Sequence, residues 1–153
     1  TIYDGTNYLN FQALGSVYQS LASFGVKDAY SKAVEAYRVA STLNPLNPGL
    51  KLDMANVSIA LGKTKEAKDY ANVALSLKPD YINALVVLSQ IAKSEGNNAS
   101  ALSYAQRALS ITPLDKDLIK YTESLKNQSS SNTAPSSDTT PKTKDNSSKK
   151  SGN

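Results

Sequence analysis

Cysteine, histidine and tryptophan are all absent from the 153 residues. Without cysteine there can be no disulfide, no thiolate metal site and no cysteine nucleophile, and the redox compartment stays undecided. Without histidine, any nucleophile would need Lys, Ser, Thr or a carboxylate as its base. Carboxylates such as Asp53, Glu66, Asp69 and Glu95 are scattered, and no pair of them recurs. Glycine is too sparse for a phosphate-cradling loop, and the spacings of zinc-protease and EF-hand motifs are missing. These gaps point away from an enzyme and leave no cofactor or metal to expect. No apolar run approaches the ~18 residues of a membrane span, and no signal peptide is visible. The chain begins at Thr1, which reads as a piece of a longer protein.

Charge is nearly balanced where the chain can fold. Residues 1–127 hold 13 Lys/Arg and 11 Asp/Glu, so they carry only half of the net charge of +4. No basic stripe is visible, and no nucleic-acid partner is expected. Residues 128–153 contain 12 Ser or Thr and no aromatic residue, Leu, Ile or Val. Ordering a backbone costs about 1–2 kcal/mol per residue, more than such a segment can offset by burial, so it reads as a disordered tail.

Order in the remainder comes from a fixed step. Pro45, Pro79 and Pro113 are 34 residues apart, as are Ala33, Ala67 and Ala101, then Ala40, Ala74 and Ala108, then Leu43, Leu77 and Ile111. A period of this length means stacked units, none able to bury its apolar face alone. Within a unit the apolar spacing is helical. Leu85, Leu88 and Ala92 mark one face of a first helix, and Ala101, Ala105, Ala108 and Ile111 one face of a second. Gly62 and Gly96 fall between the paired helices, where positive φ is cheap for glycine. Thr64 and Asn98 are the expected N-caps after them. Asn47 is the expected cap of the next first helix, with Pro48 as its opening residue, and Asp115 that of the last helix. The recurring alanines are expected at helix contacts, because axes about 8–10 Å apart need small side chains between them.

These residues resemble the tetratricopeptide-repeat (TPR) family. Phe11, Leu14, Gly15 and Tyr18 match the pattern of its first helix, and Ala33, Tyr37, Ala40 and Pro45 that of its second. The second and third units keep Ala67, Ala74 and Pro79, and Ala101, Ala108 and Pro113. Ala55 and Ser89 replace the glycine, and Ala71 and Ala105 the second-helix aromatic. The resemblance implies an all-α, right-handed α-solenoid of three helix pairs plus a capping helix. The repeat domain would span 1–127, with units at about 8–47, 48–81 and 82–114, a capping helix at 115–127, and the tail at 128–153. Tyr18 and Tyr37 would be buried. The first unit is longer by six residues around "SLASFGVKDAY", which places its turn near Gly25. Phe24 and Val26 are expected either to cover the lengthened helices or to form a docking knob. The long first hairpin and "LNPLNPGL" further resemble TPR modules at the ends of O-antigen-ligase-like bacterial membrane proteins, which implies a membrane-attached parent and an extracytoplasmic location.

For function, the resemblance implies a concave groove, lined by the first helices, that holds a peptide or protein segment. Groove positions map to Gln12, Ser16 and Gln19, to Leu52, Asn56 and Ile59, and to Asn83, Val86, Gln90 and Lys93. Side-chain amides both donate and accept, which suits the backbone of an extended peptide. The Lys/Asn/Arg clamp by which some TPR cochaperones hold a C-terminal carboxylate is not reproduced: Asp53 stands where it carries Asn, and Val87 where it carries Arg. The alternative is a structural extension of a parent protein, self-associating through the uncapped N-terminal end.

Overall fold

The computed structural model describes residues 7–131. Among them there are seven helices and no strand: α1 (Tyr8–Ser23), α2 (Ala29–Leu43), α3 (Pro48–Ala60), α4 (Thr64–Leu77), α5 (Ile82–Ser94), α6 (Asn98–Ile111) and α7 (Lys116–Ser131). They pack as antiparallel-hairpin neighbours, α1 on α2, α3 on α4 and α5 on α6, with each pair resting on the next and α7 closing against α6. This is an all-α solenoid of helix pairs. The tail beyond Ser131 lies outside the described residues. Helix α7 itself runs past the boundary expected at 127.

The alanine columns are the seams of the stack. Ala33, Ala40, Ala67, Ala74, Ala101 and Ala108 are all fully buried, and each seam is filled from the neighbouring first helices. Ala33, Tyr37 and Ala40 meet Leu50, Met54 and Val57 of α3. Ala67, Ala71 and Ala74 meet Leu52 and Ala55, then Ala84, Val87 and Leu88 of α5. Side chains of one methyl let the paired backbones approach, and the larger residues opposite fill what remains. Ser89 stands in the family's glycine position and is fully buried. Its hydroxyl donates to the Ala101 carbonyl at 2.6 Å and lies 3.1 Å from the Tyr121 hydroxyl, which ties α5 to both α6 and α7.

Helix ends follow the local chemistry, with one shift. Asn47 caps α3 by accepting from the Gly49 and Leu50 amides, with Pro48 at the first position. Asp115 accepts from the amides of Asp117 and Leu118 at the start of α7. The expected caps at Thr64 and Asn98 are instead the first helical residues. Gly62 and Gly96 adopt positive φ, and the chain turns into the helix one residue earlier than expected. Asn97 is therefore the cap of α6, its side-chain Oδ1 accepting from the Ser100 amide. Lys63 holds the equivalent place in α4 without a side-chain cap.

Three further expectations change. Tyr37 is buried at 2 % exposure, but Tyr18 is only half-buried, on an outer edge with Lys32 Nζ 5.7 Å from its ring centre. Phe24 and Val26 cover nothing: they stand 85 % and 49 % exposed at the hairpin tip, beside Gly25 at φ +83°. A tip that projects beyond the stack has no neighbour to shield it. Ile111 ends α6 exposed rather than on the apolar face, which the alanines complete without it.

Candidate functional site

Helices α1, α3, α5 and α7, the first helices of successive units and the cap, lie side by side along one face. Gln12 of α1 bonds to Asp53 of α3, α3 touches α5, and α5 and α7 share the walls of one hollow. The Asn47–Pro48 start fixes the register of α3. With Leu50, Met54 and Val57 committed to the core, the 3.6-residue period carries Asp53 and Asn56 toward the groove side.

Sequence-predicted residues gather at both ends of this face. Gln12 and Ser16 line a hollow of about 360 Å³ with Leu9, Ala13, Tyr37 and Asp53. Ser16 and Gln19 line a second of about 410 Å³ with Ser20, Ser23 and Tyr30. At the far end Asn83, Val86 and Gln90 share a hollow of about 360 Å³ with Ile82, Asp115, Asp117, Leu118 and Tyr121. Lys93 sits at its edge, its ammonium 5.8 Å from the Tyr121 ring centre. Asn56 is half-buried and Ile59 exposed, and neither lines one of these hollows. Leu52 is not a groove residue at all. It is 6 % exposed and packs with Ala55 and the α4 alanines, because the contact between α3 and α5 closes over it.

Electrostatically the first hollow centres on Asp53. Gln12 Nε2 donates to Asp53 Oδ2 at 2.9 Å. Burial pushes the carboxyl above the usual aspartate range, and the Gln12 hydrogen bond only partly opposes it. Below it the Tyr37 ring is enclosed while its hydroxyl donates to Gln19 Oε1 at 3.1 Å. The phenol is pushed up to about 12, by burial first and by the Asp53 charge second. The same charge, after burial, raises Tyr81 at the threshold of α5. Lys51 of the same helix donates its ammonium to the Ser41 hydroxyl at 2.5 Å and forms no ion pair with Asp53.

Sequence reasoning named the amides of this cluster but not the acid that organises them. Asp53 was legible only as a departure from a clamp pattern. The signal that could have found it is the single acidic residue of α3, three positions before Asn56 and flanked by Leu52 and Met54. Tyr37 was expected purely as core, and its hydroxyl nonetheless reaches the groove.

A tetratricopeptide-repeat family model matches residues 50–81 and 82–113. Over 90 residues the chain is 31 % identical to Protein O-mannosyl-transferase TMTC1 of Homo sapiens, covering 59 % of this chain and 10 % of that protein. The chain thus spans about a tenth of the curated relative it matches. Among solved structures, the first TPR of Spaghetti (RPAP3) bound to the HSP90 peptide SRMEEVD superposes with a TM-score of 0.72 at 19 % identity, covering 83 % of this chain and 96 % of that one. The Sgt2 TPR domain from Aspergillus fumigatus gives 0.72 at 17 %, covering 92 % and 95 %. The Arabidopsis OM64 TPR domain gives 0.68 at 17 %, covering 78 % and 94 %. At such identities the likeness is one of fold. The family match over two consecutive 32-residue stretches identifies residues 50–113 as tetratricopeptide repeats, within a chain whose helix pairs and alanine seams have the fold of TPR domains.

Proposed function

We propose that the chain is a protein-interaction scaffold that holds an extended peptide or protein segment along the face of α1, α3, α5 and α7. The observation that carries this reading is the run of hollows on that face, walled by Gln12, Ser16, Gln19, Asn83 and Gln90. Amide and hydroxyl side chains there offer donors and acceptors to a peptide backbone, and Leu9, Ile82 and Val86 offer apolar footing beside them. A TPR domain of the same fold holds the peptide SRMEEVD, which supports the mode of binding. It does not support the same ligand, because Asp53 would repel that peptide's carboxylates. The fold supplies recognition, and nothing in the site calls for bond-making chemistry.

Photocrosslinkers placed at Ser16 and Gln90 test the reading. The expected result is capture of one partner from both positions and none from Ser103, on the outer side of α6. Labelling confined to Ser103, or an unchanged partner affinity after Asn56→Ala with Gln90→Ala, counts against the groove.

A second reading has its own observation. Leu14, Val17 and Leu21 leave an apolar edge exposed on α1, continuous with a hollow of about 280 Å³ walled by Phe11, Leu14, Tyr18, Ala36 and Val39 together with the charged Lys32 and Glu35. Stacking through this edge would make the chain a structural or self-associating extension. Light scattering across concentration separates the two: a strict monomer that binds peptide favours the scaffold, a stable oligomer with an idle groove the extension. Attachment to a membrane-embedded, glycan-handling parent is the finer part of the proposal. It is supported by the long first hairpin and by the likeness to a stretch of a mannosyl-transferase. Among the described residues no helix is long and apolar enough to cross a membrane. Apolar spans in the adjoining sequence of the parent are the observation that decides it.

A further inference from the structure

We propose that the groove selects a basic segment, with the guanidinium or ammonium of one Arg or Lys seated against Asp53 in the hollow between α1 and α3. This rests on the scaffold reading and names the partner's chemistry. The hollow is walled by Leu9, Gln12, Ala13, Ser16, Tyr37 and Asp53, which is one carboxylate and no cation. Three ion pairs form among the described residues, Arg38–Glu35, Lys63–Glu66 and Lys68–Glu95, and Asp53 is in none of them. Gln12 engages Oδ2, and among the described residues no donor engages Oδ1. A half-buried carboxylate with one neutral donor carries a desolvation cost that nothing local repays. A cation arriving from outside forms a charge-assisted hydrogen bond at that point. The acid is already desolvated and held by Gln12 before the partner arrives, so less is lost on binding than at a solvated surface acid.

Other occupants fit less well. A metal ion fits poorly, since among the described residues no three His, Cys, Asp or Glu come together as ligands. An acidic peptide or a nucleic-acid backbone meets a like charge. The walls of the far hollow carry the same sign, with Asp115 and Asp117 beside Ile82, Val86 and Leu118, and Lys93 only at its edge. Those two acids are partly answered by the start of α7, where Asp115 caps the helix and Asp117 lies in the first turn. Asp53, in the middle of α3, has no such compensation. The fitting partner is therefore an extended segment with its key cation at the α1–α3 end and an apolar side chain toward Val86.

The probe is a random-sequence peptide library with blocked termini, panned on the immobilised full chain, on Asp53→Asn, and on Glu66→Gln as an off-groove charge control. Selected peptides are then remade with citrulline or norleucine at each basic position. The expected result is enrichment of Arg or Lys at one position, and a loss of affinity of about tenfold or more with citrulline or with Asp53→Asn. Glu66→Gln should behave as the unmodified chain. Peptides that bind the groove without basic preference, or whose preference survives Asp53→Asn, overturn the cation proposal and leave the scaffold standing. No enrichment over the bare support overturns both.

Discussion

A β-carbon added to Gly15 would lie 2.6 Å from the Tyr37 ring. That single distance explains why α1 and α2 approach as they do. The Tyr37 ring lies flat against the α1 backbone where no side chain intervenes, and the same contact steers its hydroxyl to Gln19. The core of the first unit and the polar face above it thus share one residue.

Gly15→Ala tests this contact. Atoms closer than 3 Å must move, and the ring is enclosed, so relief means displacing α1 from α2. Overpacking of this kind costs about 1–3 kcal/mol. Urea unfolding followed by circular dichroism should show a midpoint lowered accordingly. The matched change Ser89→Ala removes the hydroxyl link to Ala101 and Tyr121 without adding bulk, and should cost about 1 kcal/mol. Equal or better stability for Gly15→Ala would mean that Tyr37 has an alternative seat.

The caps give a second, sharper prediction. Asn97→Ala removes the acceptor for the Ser100 amide and should cost about 1 kcal/mol. Asn98→Ala should be neutral or slightly stabilising, because Asn98 is already helical and alanine is the better helix former. Thermal melts of the two single variants decide it, and the reverse order would return the cap to the position expected from sequence.

What could be read in advance follows from how each feature is encoded. The 34-residue step wrote the stack into the chain four times over, in Pro45, Ala33, Ala40, Leu43 and their later equivalents, so helix pairing and alanine seams were legible. The cap of α6 was off by one because Asn97 and Asn98 are chemically identical, and that of α4 because Lys63, which has no side-chain acceptor, holds the place beside the better capping type Thr64. Leu52 was misplaced because a groove register copied between units ignores the burial of this side chain among α4 and α5 residues. Asp53 needed three dimensions: its charge matters through the burial and neighbours contributed by α1 and by Tyr81. Those contacts span about 41 positions of chain in the case of Gln12, and no local pattern records them.

Asp53→Asn supplies the last prediction, because it should raise stability while weakening a basic partner. The carboxyl titrates above its ordinary value in the folded chain, with burial as the main cause. A group whose folded pKa is raised contributes its stability below the unfolded value, near pH 3.8. That contribution is lost as pH rises through the folded value. At neutral pH the ionised acid is therefore a cost to the fold, and an isosteric amide that still accepts from Gln12 removes it. The difference in melting temperature, Asp53→Asn minus the unmodified chain, should be near zero at the acid end. It should open in favour of the variant as pH climbs through the carboxylate range, then level off by neutrality. Subtracting the two curves cancels the groups that do not feel Asp53, and Tyr37 and Tyr81, which do, are raised above the ordinary tyrosine range and so titrate far above this window. A flat difference would mean that Asp53 is solvated or already paired. A difference of opposite sign would mean that the negative charge holds α1 to α3, and it would take the reason for an incoming cation with it.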